Sequence, residues 1–493
     1  MIGELIILIC SLILVRFVSH YARRKKCNAP GPPGWPIIGN WFELETVKPW
    51  FQMERWRQKY GDVFKLKLGV ADIVVVNGEA IYEVLVTKSD DYMDRPDNGR
   101  YKMLTDYHDI ITRKSDEKWK DFRKVAHQGL RQYGKGVLRI QELSQDQVLK
   151  CAEAFLKTNG EPFNPFDDIF HTIANVALVA LSGSAFEKNH EVMQRLKKLD
   201  IDANRMLGID GVHIDVMPCL KYFPHKMGKM VREAVRDQMI VLDMLWDFVK
   251  ENCDLEKPAG VLPEFFKNQE ERKDSDMPLS DEEVYGLEQN LVVGGLFTTT
   301  AAVKSMVAYM VDYPDVQRKL QLEIDEVLQG RLPTLDDRRT MPYMEAFILE
   351  SLRQTSLLPI LIPHMTKRDV SLRGYDIPKD TQVWVNAFNL HHDERYFKDP
   401  WTFNPDRFLE EDGSLLPTHK RKMLLPFGAG RRVCVGEQFA RIRMFLFMTT
   451  LLQRLTFLPA SPDSKPNYDP RDSIIGFILK MKDYKLRVVK RGV

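Results

Sequence analysis

The segment 427–436, Phe-Gly-Ala-Gly-Arg-Arg-Val-Cys-Val-Gly, restricts the possible folds more than any other part of the 493-residue chain. Its residue types suit chemistry rather than packing alone, and the rest of the chain can be read as serving Cys434. Glycines on both sides let the backbone turn and bring N–H groups toward the sulfur. The apolar run from Gln438 onward predicts a helix whose positive N-terminal end faces that sulfur. Both effects favour a thiolate, a strong axial ligand for haem iron that pushes electron density toward bound dioxygen and favours O–O cleavage. The fold must therefore shield this loop.

The pattern Phe-x-x-Gly-x-Arg-x-Cys-x-Gly resembles the haem-binding loop of the cytochrome P-450 family, with Phe427, Gly430, Arg432, Cys434 and Gly436 at its five positions. The resemblance implies a non-covalent haem b (iron protoporphyrin IX) with Cys434 as the metal ligand. The competing reading, a buried free cysteine in a glycine-rich turn, leaves the five-position agreement to chance.

Length alone suggests about three domains, but no Pro/Gly/Ser-rich linker, low-complexity tract or repeat divides the chain after its N-terminus, so one large domain is expected. With 44% hydrophobic and 28% charged residues, a sizeable core needs no staples. A net charge of +2 argues against nucleic acid as a principal partner. The six cysteines are scattered without paired spacing, which suggests neither a disulfide framework nor a zinc site and points to a reducing compartment. No Cys-x-x-Cys-His occurs, so haem would be held by coordination and burial.

Leu5 to Val15 is apolar apart from Ser11, and the charges Arg23, Arg24, Lys25 and Lys26 follow it. A cleavable signal would put its charges first. Residues 1–22 are therefore expected to form one N-terminal membrane anchor helix, with the remainder on the cytoplasmic side. A basic and proline-rich hinge, 23–36, comes next, its stretch from Pro30 to Pro36 suited to a stiff spacer. Residues 37–493 form the expected catalytic domain, mainly α with small β-sheets. Strands are predicted at Val63 to Leu68 and Ile73 to Val76, and a further strand region from Tyr375 to Asn386 resembles the family's second sheet.

Candidate helices span Ile140 to Lys157, His190 to Ala203, Lys229 to Asn252 and Asp281 to Asp312, while Glu256 to Glu283 reads as a mobile polar connection. Ser280 with Glu283 makes a capping box, opening a helix long enough to cross the domain before Pro314. At its centre Gly294-Gly295-Leu296-Phe297-Thr298-Thr299 gathers poor helix formers. A Thr298 hydroxyl bonded to the Gly294 carbonyl would open a groove there. This resembles the oxygen-binding kink of the family, making Thr298 and Thr299 the catalytic candidates and Gly294, Gly295 and Phe297 cavity candidates. Phe297 departs from the family pattern, which commonly has Asp or Glu there, and a phenyl ring relays no protons. An acid introduced at 297 is expected to restore the relay.

Glu350 and Arg353 lie at i and i+3 on one helix face. Asn404-Pro405-Asp406-Arg407-Phe408 resembles the family's meander, so Glu350, Arg353 and Arg407 are expected to form a buried network. The resemblance also makes Trp119, Arg123, His364 and Arg432 contacts for the haem propionates, and Ile362, Gly476 and Phe477 cavity residues. It implies monooxygenation of a lipophilic substrate. Electrons would come from NADPH through a membrane-bound reductase at the endoplasmic reticulum, with cytochrome b5 as a further donor. Lys118, Lys120, Lys124, Arg441 and Arg443 are candidates for the basic docking face.

Thr298-Thr299-Thr300, Val303-Lys304, Ile362-Pro363-His364, Leu390-His391-His392 and the run Leu451 to Arg454 resemble the steroid 17-alpha-hydroxylase branch, which implies a steroid substrate. Two other functions stay open. One is a reductase-independent isomerase or dehydratase of lipid hydroperoxides, motivated by Phe297. The other is a haem carrier or sensor without catalysis.

Overall fold

Alternation of apolar and charged residues in Val63–Leu68 sets up the first sheet. The computed structural model, which describes residues 26–492 apart from 37, 46, 70, 98, 133–136, 209–211 and 217–225, pairs this strand, β1, antiparallel with β2 (Ala71–Val76). The predicted anchor and residues 23–25 lie outside the described residues. The proline stretch is docked rather than a free spacer. Lys65 N donates to the Pro30 carbonyl at 2.8 Å, and a Cβ on Gly31 would fall 2.1 Å from the Lys65 carbonyl oxygen.

The expected second sheet at 375–386 is corrected. After β3 (His364–Met365) and β4 (Val370–Leu372), strand β5 (Tyr375–Ile377) pairs with β4, whereas β6 (Gln382–Val385) inserts between β2 and β3 in the first sheet. Pro378 and the positive φ of Asp380 break the run between them. This arrangement carries His364 on a sheet edge beside the cysteine loop. A third sheet pairs β7 (Leu455–Pro459) with β8 (Leu486–Lys490).

Helix dominates the rest of the chain. The predicted helices appear as Val137–Leu156, Glu191–Leu207 and Lys226–Asn252. The mobile reading of 256–283 is overturned, because it contains the helix Val261–Glu271 with Val261, Leu262, Phe265 and Phe266 buried. Those four apolar residues stand at helical spacing, but the charge run that follows them obscured the signal.

The long helix begins at the Ser280 and Glu283 capping box. It runs over Asp281–Val292, widens into a π turn at Val293–Phe297, and continues over Thr298–Asp312. By length and composition this 32-residue segment could cross a membrane, but 72% of its apolar window is buried in the protein, which makes it a core helix. Its downstream half packs against the Glu437–Arg454 helix in one apolar cluster with Met306, Met310, Phe445 and Phe447. Its upstream half roofs a cavity over the cysteine loop.

Candidate active site

The loop closes on itself where Cys434 N donates to the Phe427 carbonyl at 3.0 Å. Gly428 and Gly430 have φ of +70° and +67°, and a Cβ on Gly430 would lie 1.7 Å from the Leu85 carbonyl oxygen, so only glycine fits there. The chain then enters the helix Glu437–Arg454, with Gly436 as its N-cap. Cys434 lies deep in the protein, yet it is accessible to a water-sized sphere because one face of it is cavity wall. Burial pushes its thiol up. The Gly436 amide, Arg123 and Arg443 act in the opposite direction, and Glu437 adds to the upward shift.

That cavity has a volume of about 310 Å³, and its walls are mostly apolar, with Ile110, Leu181, Leu296, Leu361 and Phe477 among them. Phe427, Ala429, Arg432, Gly436, Gly294, Gly295, Thr298, Thr299, Ile362 and His364 also line it, whereas Gly430 does not. Two expected cavity residues do not. Phe297 packs into the adjoining apolar cluster with Phe122 and Val125, turned from the cavity by the π turn, and Gly476 faces a smaller neighbouring pocket. An acid at 297 would therefore be buried among apolar side chains, which corrects the expectation that it would restore a relay. Asn204, which the sequence reading missed, positions the tip beside Gly476: its carbonyl accepts from Phe477 N at 2.9 Å and its Oδ1 from Ile478 N at 2.7 Å.

In the groove, Thr298 Oγ1 donates to the Gly294 carbonyl at 2.7 Å, as the sequence predicts. Thr299 Oγ1 does the same to the Gly295 carbonyl at 3.1 Å.

Positive charge collects on one side of the cavity. Arg432 donates to the carbonyls of Met93 at 2.7 Å, Arg113 at 2.7 Å and Ile110 at 3.2 Å, and it stacks on the Trp119 ring at 4.0 Å. Arg123 donates to the Val433 carbonyl at 2.5 Å. His364 Nδ1 donates to the Tyr92 carbonyl at 2.8 Å. Arg95, absent from the sequence reading, lies behind them and donates to the carbonyls of Ile111, Ile362 and Pro363. Trp119 and Arg123 share a helix face, with the guanidinium 5.8 Å from the ring, but the propionate contact expected of Trp119 is corrected: its indole N–H donates to the Ile110 carbonyl at 3.0 Å, and the ring serves as a platform under Arg432.

These cations bond only neutral oxygens. Burial, followed by the charge of Arg95, brings Arg432 down to about 8, and burial brings Arg95 down to about 10. Burial and the charge of Arg95 hold His364 well below the usual histidine range. The nearby carboxylates are already bonded, Asp94 by the Ser115 amide and hydroxyl and Asp109 by the Ile111 and Thr112 amides and the Thr105 and Thr112 hydroxyls. An apolar cavity with a thiol in one wall and undercompensated guanidinium groups in another fits a flat apolar cofactor that carries a metal and peripheral acids. Haem b has that chemistry.

Beneath the loop the three predicted network residues meet. Arg353 donates to Glu350 Oε2 at 2.7 Å and Oε1 at 2.9 Å, and Arg407 donates to Oε1 at 3.0 Å. Arg353 also donates to the His391 carbonyl at 2.6 Å. Glu350 and Arg353 are fully buried.

The predicted docking face is partly corrected. Arg443 is buried inside the protein, Lys118 pairs with Glu283 at 3.0 Å, and Arg441 pairs with Glu437 at 2.9 Å. Lys120 and Lys124 remain at the surface.

The cytochrome P450 family model matches residues 29–488. The chain is 33% identical to cytochrome P450 1A1 of Sparus aurata, covering 100% of this chain and 97% of that protein. It is 33% identical to cytochrome P450 1A1 of Limanda limanda (94% and 91% covered) and 34% identical to that of Oryzias latipes (89% and 87%). This chain belongs to the cytochrome P450 family of haem-thiolate monooxygenases. The relatives named are not steroid 17-alpha-hydroxylases, and that branch gains no support. The structure shows why its supporting residues are weak guides to substrate: Lys304 is buried and bonded to Asp483 at 2.6 Å, and His391 and His392 are buried away from the cavity.

Proposed function

We propose that Cys434 is the axial ligand of haem b and that one oxygen atom from dioxygen is inserted into a lipophilic substrate lying against the Gly294–Thr299 groove. The carrying observation is the placement of the Cys434 thiol in the wall of an apolar cavity flanked by buried cations. Bound haem would supply the iron at which dioxygen is activated. The Gly436 amide, the helix N-terminus and the positive charges of Arg123 and Arg443 stabilise the thiolate. Arg123, Arg432 and His364 face the cofactor's carboxylates, with Arg95 supporting them from behind. The Thr298 hydroxyl donates to Gly294, so its lone pairs are left to accept a hydrogen bond from water or substrate in the groove. Apolar walls exclude bulk water and select apolar substrates, among which a steroid is one skeleton to test.

Electrons come from NADPH through a flavin reductase docking near Lys120 and Lys124, and the anchor at 1–22 holds the enzyme to the endoplasmic reticulum. The carbon monoxide difference spectrum of the reduced, haem-loaded protein tests ligation. The wild type is expected to show the red-shifted band of a thiolate ligand and NADPH-dependent product, and Cys434→Ser to show neither. A Cys434→Ser protein that keeps the red-shifted band would overturn the assignment.

A further inference from the structure

Arg443 lies on the Glu437–Arg454 helix that follows the cysteine loop, is 2% exposed, and reaches over to the long helix. Its Nη2 donates to the Gly295 carbonyl at 2.5 Å and to Thr299 Oγ1 at 2.8 Å. Its Nε and Nη1 are buried without a partner, and its guanidinium sits over the Phe439 ring at 4.2 Å. Cys434 is the charged group coupled to it among the described residues, and no carboxylate compensates it. A buried, half-satisfied cation destabilises a fold, so stability does not explain this residue.

The bonds around Thr299 distinguish it from Thr298. Thr299 Oγ1 accepts from Arg443 and donates to Gly295, which commits its proton and a lone pair within the protein. Thr298 Oγ1 donates to Gly294 and takes no bond from Arg443.

We infer that Arg443 is a positioning residue that ties the thiolate side of the cavity to the oxygen side. It locks Gly295 and Thr299, leaving Thr298 as the working hydroxyl, and places a fixed positive charge that favours the reduced metal. This inference rests on the proposed ligation by Cys434.

The test uses haem-loaded protein and the variants Arg443→Gln, Arg443→Lys and Thr299→Val. Two quantities are read: the haem reduction potential, and product formed per NADPH oxidised. Arg443→Gln is expected to shift the one-electron equilibrium about tenfold toward the oxidised form, about 59 mV lower. Arg443→Lys keeps the charge and the potential but loses the two-oxygen contact, lowering product per NADPH severalfold. Thr299→Val lowers it similarly, and Arg443→Lys/Thr299→Val is no worse than either single variant, since the two act as one unit. An unchanged potential in Arg443→Gln, or additive losses in the double variant, would overturn the inference. Should Arg443→Gln fail to retain haem, the Lys and Val comparison decides alone. The red-shifted carbon monoxide band reports Cys434 ligation independently, so its absence from the wild type removes the proposed function instead.

Discussion

On the Cys434 side of the cavity, charge is placed by over-determination: Glu350 alone bonds Arg353, Arg407 and the Asn404 amide. On the Thr298 side, the same task is left to two hydroxyls, two carbonyls and one incompletely satisfied guanidinium. The first arrangement tolerates little change because each partner leaves a buried charge when it is removed. The second can be altered with less effect on the fold and more on the chemistry. Rigidity and reactivity are thus assigned to opposite faces of one cavity.

Phe297 is the sharpest probe of that contrast, because it belongs to the turn that shapes the reactive face and yet packs into the core. Phe297→Asp loses a buried phenyl group, a change costing about 3–5 kcal/mol, and adds a carboxylate with no partner. Thermal or denaturant unfolding is expected to show a loss of at least that size, with no gain in product per NADPH. A stable variant with improved coupling would mean that position 297 faces the cavity. On the opposite side, Arg353→Met breaks the fully buried pair, leaving Glu350 only Arg407 and the Asn404 amide, and is expected to destabilise the fold by about 3 kcal/mol, the low end for a broken buried pair, seen as loss of haem-bound protein on heating.

Thr298→Val should leave stability within about 1 kcal/mol, the scale of one net hydrogen bond. It is expected to lower product per NADPH about tenfold, less than the ~10²–10⁴-fold of a full general acid–base contribution. An unfolding measurement beside a coupling assay separates the two outcomes. The smallest effect belongs to Glu323, remote from both faces, whose carboxylate caps the Pro342–Thr355 helix through the Tyr343 and Met344 amides at 2.7 and 2.8 Å. Burial raises it from the usual 4.5 to about 7. Between those values the folded protein holds a proton that the unfolded chain has released, so its contribution favours folding at the acid end and is lost as pH rises through about 7. Glu323→Gln should flatten this part of the stability–pH curve, measured by denaturation at a series of pH values.

The difference between the faces also explains what could be read from sequence. Cys434, Gly430 and Gly436 were legible because a sharp turn at a buried sulfur admits few residue types, whereas Glu350 and Arg353 alone read as a common surface pair and were joined to Arg407 only through the resemblance of Asn404–Phe408 to the family's meander. The Thr298 bond to Gly294 was legible because it is local. Arg95, Asn204 and Arg443 were not, since each bonds backbone atoms far away in the chain, and nearly any residue type can supply a carbonyl to Arg95 and Arg443 or an amide N–H to Asn204. The orientation of Phe297 was hidden for another reason: it depends on how many residues the helix accommodates in one turn, which glycines permit but do not specify.

That turn has a consequence for how the chain can change. A π turn takes about one residue more than an α turn to come round the axis, so deleting one residue within Val293–Phe297 and restoring the ordinary spacing would leave Asp281–Val292 close to its present orientation relative to Thr298–Asp312. Gln289 and Asn290 would go on bordering the cavity and the downstream core would be undisturbed, while the widened turn beside Thr298 would close. The groove can therefore be removed by length alone, without replacing any residue that touches the thiolate.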